Sequence, residues 1–198
     1  MGKLYLVMGK SATGKDHIYK AVCEKCGDSL KPVVPYTTRP KRVSETEGVE
    51  YHFVTIEQMK ALETEGKVIE SRCYNTVAGD WYYFTCDDGQ IDTENHDSII
   101  IVTLEAYRKI RNYFGPEKVC PVYIEVDDGE RLKRSIKREE KQENPSYAEV
   151  CRRYLADEKD FSEEELQDLS INRRFKNNTD INECVDEIVK EILGEKAE

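Results

Sequence analysis

Apolar residues recur along this chain in two rhythms, and the change from one to the other marks out its elements. Residues 3–8 (KLYLVM), 98–103 (SIIIVT) and 119–126 (VCPVYIEV) are short, nearly continuous apolar runs, as expected of strands covered on both faces. Elsewhere the spacing becomes three and four. Ile18, Tyr19, Val22, Cys23 and Cys26 predict a helix over 16–26 that stops at Gly27. Residues 106–113 predict another, stopped by Gly115-Pro116, and Ile181, Val185, Ile188, Val189 and Ile192 predict a last helix over 181–193. Thr55 with Gln58, and Ser146 with Glu149, have the spacing of capping boxes. The first opens a helix packing Met59 and Leu62 and ending at Gly66; the second opens a long helix beyond Pro145. Residues 131–141 read as a strongly basic helix, and 67–74, 80–85 and 173–177 as short strands.

Strands alternating with helices imply an α/β fold with a mostly parallel central sheet. Residues 31–53 interrupt the alternation with three prolines, many charges and no helical period, so an inserted subdomain is expected over 34–85. No repeat is visible. At 198 residues the chain has room for one compact domain with small insertions.

Charge and cysteine content narrow the function. Forty acidic against thirty basic side chains give a net charge of −10, which argues against nucleic acid as the main partner. Any phosphate site must then be a local cluster of basic groups. No run approaches the ~20 apolar residues of a membrane span, and the N-terminus lacks the apolar region of a signal peptide. Seven scattered cysteines suit a reducing compartment, so a cytoplasmic location is expected. Cys23 and Cys26 have C-x-x-C spacing but no second ligand pair, which makes packing the simpler role. His17, His52 and His96 are isolated. Trp81, Tyr82 and Tyr83 form an aromatic cluster suited to walling a pocket.

The strongest chemical motif runs from Gly9 to Lys15. Gly9-Lys10-Ser11-Ala12-Thr13-Gly14-Lys15 matches G-x-x-x-x-G-K and lies between the first predicted strand and the first predicted helix. That context places backbone N–H groups and a helix N-terminus around phosphate oxygens, with Lys15 reaching toward them. A nucleotide is the expected ligand, and the fold becomes a P-loop NTPase-type three-layer architecture. The position after the lysine, normally a Mg²⁺-serving hydroxyl, is Asp16, a hard oxygen donor and the one candidate ligand for Mg²⁺. A second cluster, Thr37-Thr38-Arg39-Pro40-Lys41-Arg42, is followed by Glu45, Gly48, Tyr51 and Phe53. Two arginines three apart suit forked bonding to one phosphate, Tyr51 adds a neutral donor, and Glu45 can orient an arginine. Read alone, the segment is equally a solvated charged loop.

With both motifs in view the sequence resembles the guanylate kinases, P-loop kinases that pass a phosphoryl group from ATP to GMP. Thr37 to Phe53 is similar to that family's GMP-binding signature, with only the proline displaced. The resemblance implies a core over 1–33, 86–128 and 166–198, an acceptor subdomain over 34–85 and a helical lid over 131–160. It assigns the acceptor phosphate to Arg39, Arg42, Tyr51 and Tyr83, with Glu45 orienting them. It assigns the base to Glu70 and Thr85, and places Thr103 where the family has a guanine-reading aspartate. Arg134, Arg138 and Arg153 match lid arginines that act with Lys15 and Arg42 on the transferred charge. Asn177 resembles an asparagine near the adenine.

Departures are equally plain. Asp16 replaces the Ser/Thr of the phosphate loop, Pro35 stands where the family usually has a serine, and Ile101 and Thr103 replace two aspartates. Expected partners are small molecules, GMP or dGMP, with no nucleic acid and no membrane. Two alternatives remain open: a kinase of another small phospho-acceptor, such as the ribose 1,5-bisphosphate phosphokinases, and a non-catalytic guanylate-kinase-like binding module.

Overall fold

The computed structural model describes residues 2–76 and 79–194. Strand β1 (Leu4–Met8) is buried at all five positions, as its unbroken apolar run requires. It leads through the phosphate loop into α1 (Lys15–Cys26), which ends at Gly27 with φ +53°. Then come β2 (Leu30–Pro32), β3 (Tyr36–Thr37), β4 (His52–Phe53), α2 (Ile56–Thr64) and the hairpin strands β5 (Val68–Thr76) and β6 (Gly79–Cys86). The chain continues through β7 (Asp97–Ile101), α3 (Leu104–Phe114), β8 (Val119–Glu125), α4 (Asp128–Glu139), α5 (Tyr147–Asp160), α6 (Glu163–Asp168), β9 (Phe175–Lys176) and α7 (Ile181–Leu193).

The central sheet has the order β2-β7-β1-β8-β9, with β2 parallel to β7 and β8 parallel to β9. A second sheet has the order β4-β3-β6-β5. Contacts divide the chain into two compact units: one holds the described parts of 1–5, 30–100 and 105–120, the other those of 6–29, 101–104 and 121–198.

In the first unit, Met59 of α2 packs on Phe84 and Cys86 of β6, with Tyr36, Val54, Leu62, Val68 and Tyr82 around them. The Thr55 capping box forms in full: Thr55 Oγ1 accepts from Gln58 N, and the Gln58 side chain accepts from Thr55 N. In the second unit, α1 packs against α7. Ile18, Val22 and Cys26 are buried on α1, and Cys184, Val185, Ile188 and Ile192 on α7.

The other capping box does not form. Ser146 precedes α5, but its side chain makes no cap bond. Glu149 turns instead to Arg152 and Arg153, and Glu139 accepts from Ser146 N at 2.7 Å. Two guanidiniums outcompete one backbone N–H for that carboxylate. The long helix expected beyond Pro145 forms as α5 and ends at Asp160, after which Ser162 caps a new helix by accepting from Glu165 N. Strand β7 ends at Ile101, so Thr103 is the last residue before α3 rather than a strand residue. No described helix is long and apolar enough to cross a membrane. All seven cysteines are free thiols, and burial raises Cys23, to about 11, and Cys86 and Cys184, each to about 12. C-x-x-C redox chemistry needs a lowered thiol, so Cys23 and Cys26 serve packing.

Candidate functional site

In the second unit the phosphate loop is held open by residues that cannot easily be replaced. A Cβ on Gly9 would lie 2.6 Å from the carbonyl oxygen of Ile124, so only glycine lets the loop start this close to β8. Gly14 has φ +83°, and a Cβ there would meet Asn177 Nδ2 at 2.9 Å. Ala12 has φ +63°, a left-handed conformation that costs a non-glycine residue of the order of 1 kcal/mol or more. Such strain at the centre of a phosphate loop turns successive N–H groups inward. Thr13, 1% exposed, donates to Lys10 O at 2.9 Å and closes the turn from within. Asn177 Nδ2 donates to Thr13 O at 2.9 Å, so the asparagine singled out by sequence sits on the loop. Lys15 and Asp16 open α1; Asp16 is exposed, and Lys15 has no ion pair among the described residues.

Helices α4 and α5 of the same unit carry the three arginines expected to act on the transferred charge. Arg138 and Arg153 line one cavity of about 390 Å³ together with Ser11 of the loop and Tyr154. Arg153 Nε bonds Glu149, which its two arginine neighbours hold down at about 2. Arg134 is placed differently: it donates to Glu130 and to the carbonyls of Asn177 and Asn178, beside the asparagine rather than in that cavity.

Sequence reasoning missed the hub of this region. Arg131 is 1% exposed, pairs with Asp128, Asp157 and Glu158, lies 4.6 Å from the Tyr154 ring and donates to Ser11 O. Asp157 also accepts from Ser11 N at 2.7 Å, and Glu158 from Lys10 Nζ at 2.9 Å. The α5 carboxylates therefore rest on the phosphate loop. Nothing in the sequence sets Arg131 apart from the other basic residues of its helix; its burial with Ser135, four positions on, is seen only in the fold.

The first unit gathers the other cluster. Arg39, 4% exposed, forks onto both oxygens of Glu45. Its guanidinium lies 5.0 Å from the Tyr51 ring and 5.4 Å from that of Phe53. Tyr51 stands edge-on to Tyr83 at 5.7 Å, and Tyr83 is near enough to Arg39 to act on its charge. Glu45 accepts Arg42 N at 2.8 Å, which fixes the loop while leaving the Arg42 guanidinium exposed. Thus Arg39, Arg42, Glu45 and Tyr51 of the Thr37–Phe53 segment come together with Tyr83 of β6. Arg39 Nε is buried without a partner among the described residues, a donor still lacking an acceptor. On the same sheet, Glu70 accepts from Thr85 Oγ1 at 2.8 Å and from Arg72 Nε at 3.1 Å. Arg72 is the second residue that sequence reasoning missed. Thr103 belongs to the other unit.

The hydrogen bonds from Arg39 set the electrostatics of this cluster, holding the Glu45 carboxyl down at about 2. Its folded value lies below its ordinary one, so its contribution to stability is complete above about pH 5 and is lost as pH falls through about 2. Acid thermal scans are therefore expected to separate wild type from Glu45→Gln above pH 5 and to converge toward pH 2. Parallel curves across that window would count against the pairing.

The chain as a whole has counterparts among known proteins. The guanylate kinase family model matches residues 1–195. The chain belongs to the guanylate kinase family. Among its relatives, the guanylate kinase of Caldanaerobacter subterraneus subsp. tengcongensis is 29% identical over 198 residues, covering 98% of this chain and 88% of that one. The guanylate kinase of Schizosaccharomyces pombe is 40% identical over 68 residues, 34% of each chain. The crystal structure of guanylate kinase from Anaplasma phagocytophilum superposes with a TM-score of 0.65 at 18% identity, covering 100% of this chain and 87% of that one. That last likeness is one of fold. Against the guanylate kinase pattern, Pro35 keeps its carbonyl on His52 N at 2.9 Å, and Ile101 ends β7. Among the described residues no three His, Cys, Asp or Glu side chains gather to hold a metal. Mg²⁺ in kinases needs only one or two carboxylates, the nucleotide phosphates and water supplying the rest. Asp16, exposed on the first turn of α1, fits that requirement.

Proposed function

We propose that this chain transfers the γ-phosphoryl group of ATP to GMP, giving ADP and GDP. The observation that carries the reading is the presence, on one chain, of a glycine-cradled phosphate loop and a preformed Arg39–Glu45–Tyr51–Tyr83 cluster with a buried donor in search of an acceptor. An oxygen of the acceptor phosphate attacks the γ-phosphorus, the bond to the β–γ bridging oxygen breaks, and ADP leaves. The attacking oxygen is already ionised, so no general base is required. The work is positioning and charge neutralisation. Arg39, Arg42, Tyr51 and Tyr83 hold the acceptor phosphate, while Glu70 and Thr85 face its base. Loop N–H groups and Lys15 hold the β- and γ-phosphates, Arg138 and Arg153 offset charge on the migrating group, and Asn177 and Arg134 flank the nucleoside end. Asp16 would hold Mg²⁺ directly or through water, and the ion would add to the neutralisation of the phosphate oxygens.

The test is ADP release from Mg²⁺-ATP with GMP, dGMP, AMP, CMP, UMP or ribose 1,5-bisphosphate as acceptor. Turnover with GMP and dGMP, well above the others, is the expected result. Turnover with a different acceptor would keep the phosphate loop and reassign the acceptor cluster. A folded, ATP-binding protein inactive with all of them would make the chain a binding module.

A further inference from the structure

The base end of the acceptor cluster holds a group that the reading above does not use. Glu70 and Arg72 are two apart on β5, so their side chains share one face of the sheet, opposite Thr85 and Tyr83 in register. The Glu70 side chain is 0% exposed and takes Arg72 Nε at 3.1 Å, Arg72 Nη2 at 3.3 Å and Thr85 Oγ1 at 2.8 Å. The Arg72 side chain is 13% exposed, and its charge is felt at Tyr51. Arg72 thus stands between the phosphate-holding tyrosines and the buried carboxylate.

Hydrogen-bond chemistry assigns it a task. A carboxylate offers acceptors only, so Glu70 can satisfy the N1–H and 2-amino donors of guanine and nothing else. Thr85 directs its hydroxyl proton to Glu70, which leaves the O6 and N7 acceptors of the base without a donor from either residue. A guanidinium is the side chain whose fork matches O6 and N7 together. We propose that Arg72 is a base-specificity residue: with Glu70 it forms a donor–acceptor pair that reads a 6-oxopurine, Glu70 taking N1–H and the 2-amino group and Arg72 donating to O6 and N7. Adenine opposes this arrangement, because its 6-amino donor meets the donors of Arg72. The inference rests on the GMP reading, and the tests below separate the two.

The experiment compares kcat/KM for GMP, IMP, AMP and 7-deaza-GMP in wild type and Arg72→Met. IMP keeps O6 and N7 but lacks the 2-amino group, and 7-deaza-GMP lacks only N7. Arg72→Met is expected to lower kcat/KM for GMP and IMP by the same factor, about 10- to 100-fold, without lowering it for AMP. The GMP-to-AMP ratio then collapses by that factor while the GMP-to-IMP ratio holds. Wild type is expected to prefer GMP over 7-deaza-GMP, and the variant to lose that preference. The wild-type comparison requires no mutant, so it can overturn the role even if Arg72→Met folds poorly. Wild-type turnover of GMP with no penalty for 7-deaza-GMP, or an unchanged GMP-to-AMP ratio in folded Arg72→Met, would overturn the role of Arg72 alone. Absence of wild-type turnover with GMP would overturn both readings.

Discussion

Lys15→Met is expected to lower kcat about 10³-fold, roughly 4 kcal/mol of lost transition-state stabilisation, while moving the melting temperature by no more than a degree or two. The two halves of that expectation come from the same facts. Lys15 is the first residue of α1, half-buried, and forms no ion pair among the described residues. Its removal therefore leaves no buried charge uncompensated, and a substitution of that kind stays within about ±0.5 kcal/mol of wild-type stability. Charge building on the γ-phosphoryl group, by contrast, loses the ammonium that the proposed reading assigns to it. Lys15→Arg is expected to rescue little, because a planar fork does not replace a compact ammonium at the end of a tight loop. Steady-state kinetics with thermal denaturation on the same samples checks both halves. A large drop in melting temperature would relocate the role of Lys15 from charge stabilisation to folding.

Arg39→Met is expected to behave in the opposite way, lowering stability and acceptor turnover together. The Arg39 side chain is 3% exposed and that of Glu45 11%, so the variant strands a carboxylate held almost entirely away from water. Breaking one side of such a pair costs about 3–5 kcal/mol. The same change removes the buried Nε donor that is open to the acceptor phosphate, and kcat/KM for GMP is expected to fall at least ~10³-fold, with ATP affinity unaltered. The double variant Arg39→Met/Glu45→Met separates the effects, because removing both charges relieves the stranded carboxylate. Its melting temperature is expected to recover most of the loss while turnover stays low. Recovery of turnover along with stability would show that Arg39 acts only through the fold.

How much of this was legible in the sequence follows from the range of each interaction. The phosphate loop is a local object: Gly9, Ala12, Gly14 and Lys15 build it within seven residues, and its motif reads directly. The fork of Arg39 on Glu45 spans six residues in one loop, within reach of a spacing argument. The hub at Arg131 brings together residues from the phosphate loop, α4 and α5, up to 148 positions apart for Lys10 and Glu158, and nothing local announces that meeting. The alternation of β5 puts Arg72 on the face of Glu70, but its fork on that carboxylate depends on side-chain rotamers that no motif encodes. The failed box at Ser146 shows the converse: its spacing is correct, but Arg152 and Arg153 lie one turn beyond Glu149 and take the carboxylate first.

The contact between Asp157 and Ser11 N has a consequence for how nucleotide affinity is read. An anion that takes that N–H must first evict a carboxylate tethered to the same unit of the protein, so binding is a competition against an internal ligand that cannot diffuse away. The measured dissociation constant then contains the closing equilibrium of α5 as well as the intrinsic attraction of loop for phosphate. Every 1.4 kcal/mol by which the occupied arrangement is favoured weakens apparent affinity about tenfold without altering a single contact to the nucleotide. Two chains with identical phosphate loops and different residues at position 157 are therefore not expected to share a nucleotide affinity.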